Sequence, residues 1–90
     1  MTPEAIRAVV LSILRGIAPE VDAAAIRPEA DLRDELDIDS MDFLRFVVRL
    51  DERLGVNVPE KDYARVRTLA SCTAYLAERG ASERGPPRPG

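Results

Sequence analysis

Asp39-Ser40-Met41-Asp42 places one hydroxyl between carboxylates, directly ahead of a strongly apolar segment. Three chemistries suit such a serine. Locally the four residues form a helix start, in which Asp39 or Ser40 caps the free amides and Asp42 favours the positive end of the dipole. As a nucleophile Ser40 lacks an activator, because the chain has no histidine and nothing places its only lysine, Lys61, near the serine. As the acceptor of a group attached by another enzyme it is well situated, since a phosphodiester on a helix-start hydroxyl lies near unpaired backbone amides.

The remaining reactive groups are few. One cysteine, Cys72, cannot build a disulfide or a cysteine-rich zinc site, and the missing histidines remove the commonest metal ligand. Cys72 lies on the apolar face of the last predicted helix, where it reads as a small core residue. The expectation is a protein with no catalytic residues and no metal of its own.

The elements that hold Ser40 follow from composition and periodicity. Ninety residues, 46% apolar and 32% charged, make one small domain. With two Phe, two Tyr and no Trp, the core must come from Leu, Ile, Val and Ala, which favours packed helices over a sheet. Thr2-Pro3-Glu4 predicts a helix start, and Ile6, Val9, Val10, Ile13, Leu14 and Ile17 recur at helical spacing up to about Gly16. Residues 17 to 39 show no sustained period. Val21, Ile26, Leu32, Leu36 and Ile38 are scattered anchors for a long loop, with room for a helical turn near Pro28 to Leu36.

A second main helix is expected from Ser40 to Leu54, stopped by Gly55. Val56-Asn57-Val58-Pro59 follows as an extended connector, then a short helix from Pro59 or Glu60 to about Ala64. A last helix opens at Thr68 and ends at Gly80. Residues 1 to 79 would form the helical domain. Residues 80 to 90, with three prolines, three glycines and no large apolar side chain, are expected to be a flexible tail.

On the Ser40 helix, Phe43, Phe46, Val47, Leu50 and Leu54 share one sector and should face the core. Met41, Leu44 and Val48 fall in a second sector about 140° away, more apolar surface than one core contact needs. Arg45, Arg49 and Glu52 flank this strip, Asp42 and Arg53 lie further round, and Asp51 falls between the two sectors. An apolar strip rimmed by both signs of charge suits transient protein docking, with Met41, Asp42, Leu44, Arg45, Val48 and Arg49 as contacts. Alternatively, the strip packs under the long loop.

The net charge of −3 conceals a local excess: residues 28 to 42 carry seven acids against one base, Arg33. This patch repels nucleic acid and anionic lipid and favours basic partner surfaces. The sequence carries no signal-peptide pattern and no apolar run of membrane-spanning length. A cytoplasmic, monomeric protein without membrane insertion is expected.

Leu36-Asp37-Ile38-Asp39-Ser40-Met41, the helix to Leu54, Gly55-Val56-Asn57-Val58-Pro59 and the helix opening at Thr68 together resemble the acyl carrier proteins and related phosphopantetheine-binding carrier domains. The resemblance covers residues 4 to 79. It implies an all-α antiparallel bundle of three main helices plus one short helix, with a long loop between the first two. It further implies 4'-phosphopantetheine, covalently attached to Ser40 by a phosphopantetheinyl transferase, with Asp39 contributing to transferase recognition. The terminal thiol of that arm would hold acyl groups as thioesters for acyl-loading and acyl-processing enzymes, which would meet the Ser40 helix.

Two departures matter. Asp37 stands where the family commonly has glycine, two residues before the Asp, and the Ser40 helix has zero net charge where carriers of fatty-acid synthesis are strongly acidic. Asp37 suggests a differently shaped entry to the serine and keeps a second reading in play, while the neutral helix points to a specialised fatty-acid, polyketide or related secondary pathway. The competing reading is an unmodified helical interaction module on the same scaffold.

Overall fold

The computed structural model of the chain describes residues 1 to 83. Four α-helices and two 3₁₀ segments follow one another: α1 (Pro3–Ile17), a 3₁₀ turn (Ala23–Ala25), α2 (Leu32–Leu36), α3 (Ser40–Leu54), a 3₁₀ helix (Glu60–Val66) and α4 (Leu69–Glu78). Among the described residues there is no strand, only an isolated bridge between Asp31 and Thr68.

The main helices begin and end where their caps require. The Thr2 hydroxyl accepts from the Ala5 amide, Pro3 opens α1, and the Thr68 hydroxyl accepts from the Ser71 amide at the start of α4. α3 stops at Gly55, whose backbone is left-handed (φ 69°) and whose N–H donates to the Asp51 carbonyl at 2.8 Å. α1 packs against α3 and α4, and the 3₁₀ helix packs against α4.

The core is the set of apolar faces written in the sequence. Val10, Leu14, Phe46, Leu50, Leu54, Cys72 and Leu76 are essentially inaccessible to solvent. Phe43 meets Phe46 at 5.9 Å between ring centroids and the edge of Tyr63 at 6.0 Å, so α3 is seated by aromatic contacts near its start. The connector after Gly55 buries Val56 and Val58. Beyond α4, Ala81 is buried and the Ser82 amide donates to the Leu54 carbonyl at 3.3 Å. Most of the stretch read as a flexible tail, from residue 84 on, lies outside the described residues.

The segment between α1 and α3 contains more structure than its sequence announces. Asp22 caps the 3₁₀ turn, and Asp31 caps the five-residue α2 by accepting from the Arg33 amide at 2.9 Å. Asp31 also accepts from the Arg67 guanidinium at 2.5 Å, while the Leu32 amide donates to the Arg67 carbonyl and the Ala70 amide to the Pro28 carbonyl. These bonds fasten the loop to the opening of α4. Within the loop, the Arg27 amide and guanidinium both donate to the Glu35 carboxylate, at 2.8 to 3.3 Å.

Those hydrogen bonds from Arg27 hold the Glu35 carboxyl below the usual glutamate range. A carboxyl whose folded-state pKa is depressed contributes stability above its unfolded value, and the contribution is lost as pH falls through the folded one. Arg27→Gln should therefore raise the Glu35 midpoint in an NMR titration of its carboxyl carbon between about pH 3 and 6. An unchanged midpoint would show that the contact does not persist in solution.

Candidate functional site

α3 is positioned by three events within four residues. α2 ends at Asp37, whose backbone is left-handed (φ 50°, ψ 49°), the one non-glycine residue with positive φ among those described. The Ile38 amide then donates to the Arg33 carbonyl at 3.1 Å, and half-buried Ile38 packs on the core. Finally Asp39, in extended conformation, accepts from the Asp42 amide at 2.9 Å through its carboxylate.

Asp37 thus takes the backbone shape that a glycine would take. The sequence suggests a differently shaped entry to the serine; the structure instead has the left-handed turn, adopted by a residue type that tolerates it better than most.

The division of labour between Asp39 and Ser40 is the main chemical feature. Asp39 makes the cap, a choice the sequence left open, so Ser40 is the first helical residue rather than the capping one. Ser40 is exposed, and among the described residues no protein group bonds its hydroxyl. The first amides of α3 have no carbonyl partner one turn back, so they offer positive partial charge beside that hydroxyl. A phosphodiester fits this position: an accessible oxygen for the linkage, a helix N-terminus for its charge, and no competing hydrogen bond to break.

The surroundings of Ser40 are polar and apolar in turn. A groove of about 200 Å³ beside it is lined by Ser40, Phe43, Leu44 and Tyr63, with Arg33 and Arg67 at its polar side. The sequence marks Arg33 only as the lone base of the acidic stretch and gives no sign of Arg67, which reaches this place by the folding back of a segment far along the chain.

Further along α3, the alternatives for the second apolar sector are resolved. Met41, Leu44 and Val48 are 64%, 40% and 56% exposed, so the long loop does not cover them. They line a shallow groove of about 440 Å³ with Arg45, Arg49 and Glu52. Asp42 is half-buried at the helix start. Cys72 is buried away from this face, and burial pushes its thiol up to about 12.

Comparison with known proteins agrees with this geometry. The family model described as "Phosphopantetheine attachment site" matches residues 4–76, and the chain belongs to this family. It is 37% identical over 62 residues to an acyl carrier protein of Syntrophobacter fumaroxidans, covering 69% of this chain and 76% of that protein. It is 32% identical over 76 residues to the meromycolate extension acyl carrier protein of Mycobacterium tuberculosis. That match covers 84% of this chain and spans only 65% of the mycobacterial protein. Among solved structures, an acyl carrier protein from Enterococcus faecalis has the same fold, with a TM-score of 0.73 at 22% identity over 87% of this chain and 98% of that one. Members of the family carry covalent 4'-phosphopantetheine and are carriers rather than enzymes.

Two outcomes follow from the site. Asp37→Gly should raise stability by about 0.5–1 kcal/mol in urea unfolding, because glycine adopts the left-handed turn without a Cβ clash; destabilisation would mean that the aspartate side chain supports the turn. Cys72 is fully buried, and that burial disfavours its thiolate. A thiol-reactive disulfide reagent should therefore leave the native apo protein unlabelled until denaturant is added.

Proposed function

We propose that the protein is an acyl carrier whose attachment point is Ser40. The observation that carries this reading is the exposed hydroxyl at the start of α3, freed from capping by Asp39. When attached, 4'-phosphopantetheine supplies a terminal thiol that holds acyl groups as thioesters. The chain's own residues do the rest: Ser40 anchors the arm, the first-turn amides favour its negative charge, and Asp39 fixes the helix start that a phosphopantetheinyl transferase must recognise.

Met41, Leu44 and Val48, with Asp42, Arg45 and Arg49 around them, form the contact face for acyl-loading and acyl-processing enzymes. A cytoplasmic setting fits the coenzyme A donor, and among the described residues no helix is long and apolar enough to cross a membrane.

A specialised pathway is the better assignment than housekeeping fatty-acid synthesis. The net charge of α3 is zero, so enzymes tuned to an acidic helix gain little electrostatic steering from it. A relative named as the acyl carrier protein of meromycolate extension is consistent with dedicated lipid work. The unmodified interaction module is disfavoured, since Asp37, the residue that kept it in play, adopts the glycine-like turn.

Intact-protein mass spectrometry after incubation with coenzyme A and a broad-specificity phosphopantetheinyl transferase tests the reading. One phosphopantetheine should add to the native chain and none to Ser40→Ala. No gain with several transferases would favour the unmodified module.

A further inference from the structure

Arg45, Arg49 and Arg53 recur every fourth residue along α3 and line a second groove, of about 260 Å³, between α3 and the C-terminal half of α1. Ser12, Gly16 and Ile17 form its opposite wall, and no carboxylate lines it. We infer that this groove receives an acidic segment of a partner protein, one presenting carboxylates about 6 Å apart, the rise of four helical residues. The inference extends the carrier reading, because an acyl-processing partner is what would dock there.

Three observations support it. The helix dipole accounts for Asp42 in the first turn of α3 and Arg53 in the last, but not for Arg45 and Arg49 in the middle. The existing ion pairs leave the stripe available: Arg49 meets Glu52 only at 3.7 Å and Arg53 meets Glu83 at 3.6 Å, both on the exposed surface, and Arg45 has no carboxylate within 4 Å among the described residues. Gly16 supplies the third. It lies within α1, where glycine weakens a helix relative to alanine, yet a Cβ there would meet nothing within 4 Å. The protein's own packing does not require glycine at this point; its missing side chain keeps the groove open opposite the arginines.

The carboxylates around Ser40 narrow the class of occupant. An extended polyanion such as RNA, or an anionic membrane, would be repelled by Asp34, Asp37, Asp39 and Asp42 while it was attracted by the stripe. A folded partner can present bases to one end of α3 and acids to the other.

The test uses the unmodified full chain, ¹⁵N-labelled, and a helical peptide of about 17 residues with glutamates at every fourth position. A scrambled peptide of the same composition is the control. At low salt the patterned peptide should shift the amide signals of Gly16, Ile17, Arg49 and Arg53. Binding should be about tenfold weaker for the scrambled peptide, and at least as much weaker for the Arg45→Glu/Arg49→Glu variant, where two exposed ion pairs are lost and like-charge contacts replace them. Gly16→Gln, which fills the groove and should keep the native amide fingerprint, should weaken binding too.

Equal binding of the scrambled peptide, or no effect of Gly16→Gln in a folded variant, overturns the proposal. So does tighter binding of phosphatidylglycerol vesicles or oligothymidylate through the same arginines, or self-association through the groove. Failure of Ser40 to accept phosphopantetheine would remove the carrier reading and leave the peptide result unaffected, so the two can fail separately.

Discussion

The hydrogen bond from the Asp42 amide to the Asp39 carboxylate decides what Ser40 can be. Helix starts need a side-chain acceptor, and serine is among the best, so an uncapped α3 would recruit the Ser40 hydroxyl into the fold. With Asp39 in that role, the serine contributes its backbone to the helix and keeps its oxygen outside. The same arrangement sets the register of α3: with the helix beginning at residue 40, Phe43, Phe46, Val47, Leu50 and Leu54 all reach the core. A shift of one residue in the start would turn the helix by about 100° and bury the wrong side chains.

Reaching that register requires the loop to arrive from the correct direction, and the direction is set far away in sequence. Asp31 caps α2 and is held by Arg67, and the Leu32 amide bonds the Arg67 carbonyl, so the entry to α3 is fastened to the segment that opens α4. Asp37 then reverses the chain through a left-handed residue. The aspartate keeps the turn at some conformational cost while adding one more negative charge to the approach to Ser40.

The helices of the bundle were legible because their signals are local. Thr2 with Pro3, Thr68, and Gly55 mark boundaries through their own side chains or lack of one, and the apolar periods of α1 and α3 identify the buried faces directly. The loop was legible as anchors with room for one helical turn near Pro28 to Leu36, where α2 lies; its bounds were not, since a five-residue helix is too short to display a period and α2 is stabilised by an arginine 36 residues away. The sequence predicts a short helix from Pro59 or Glu60 to about Ala64, but the 3₁₀ geometry and the extension to Val66 depend on packing against α4. Ser40 could be found from its neighbours. Whether Asp39 or Ser40 made the cap, and whether Met41, Leu44 and Val48 were covered, required three dimensions, because both answers fit the same helical wheel.

The exposed side of α3 is organised along its length as well as around it. Near Ser40 the carboxylates dominate; past Leu44 the arginines at every fourth residue do, with the apolar strip beside both. Single exposed charges contribute little to affinity, and salt screens them beyond about 8 Å. A separated pair of opposite patches does something a uniform surface cannot: it gives the helix a polarity that a partner can read, favouring one orientation and penalising its reverse. For a carrier, orientation is the functional variable, because only one end of α3 bears the serine. An acidic helix attracts basic partners along its whole length, whereas the bipolar face rewards partners that place their own bases toward Ser40, where an arm attached to that serine would enter.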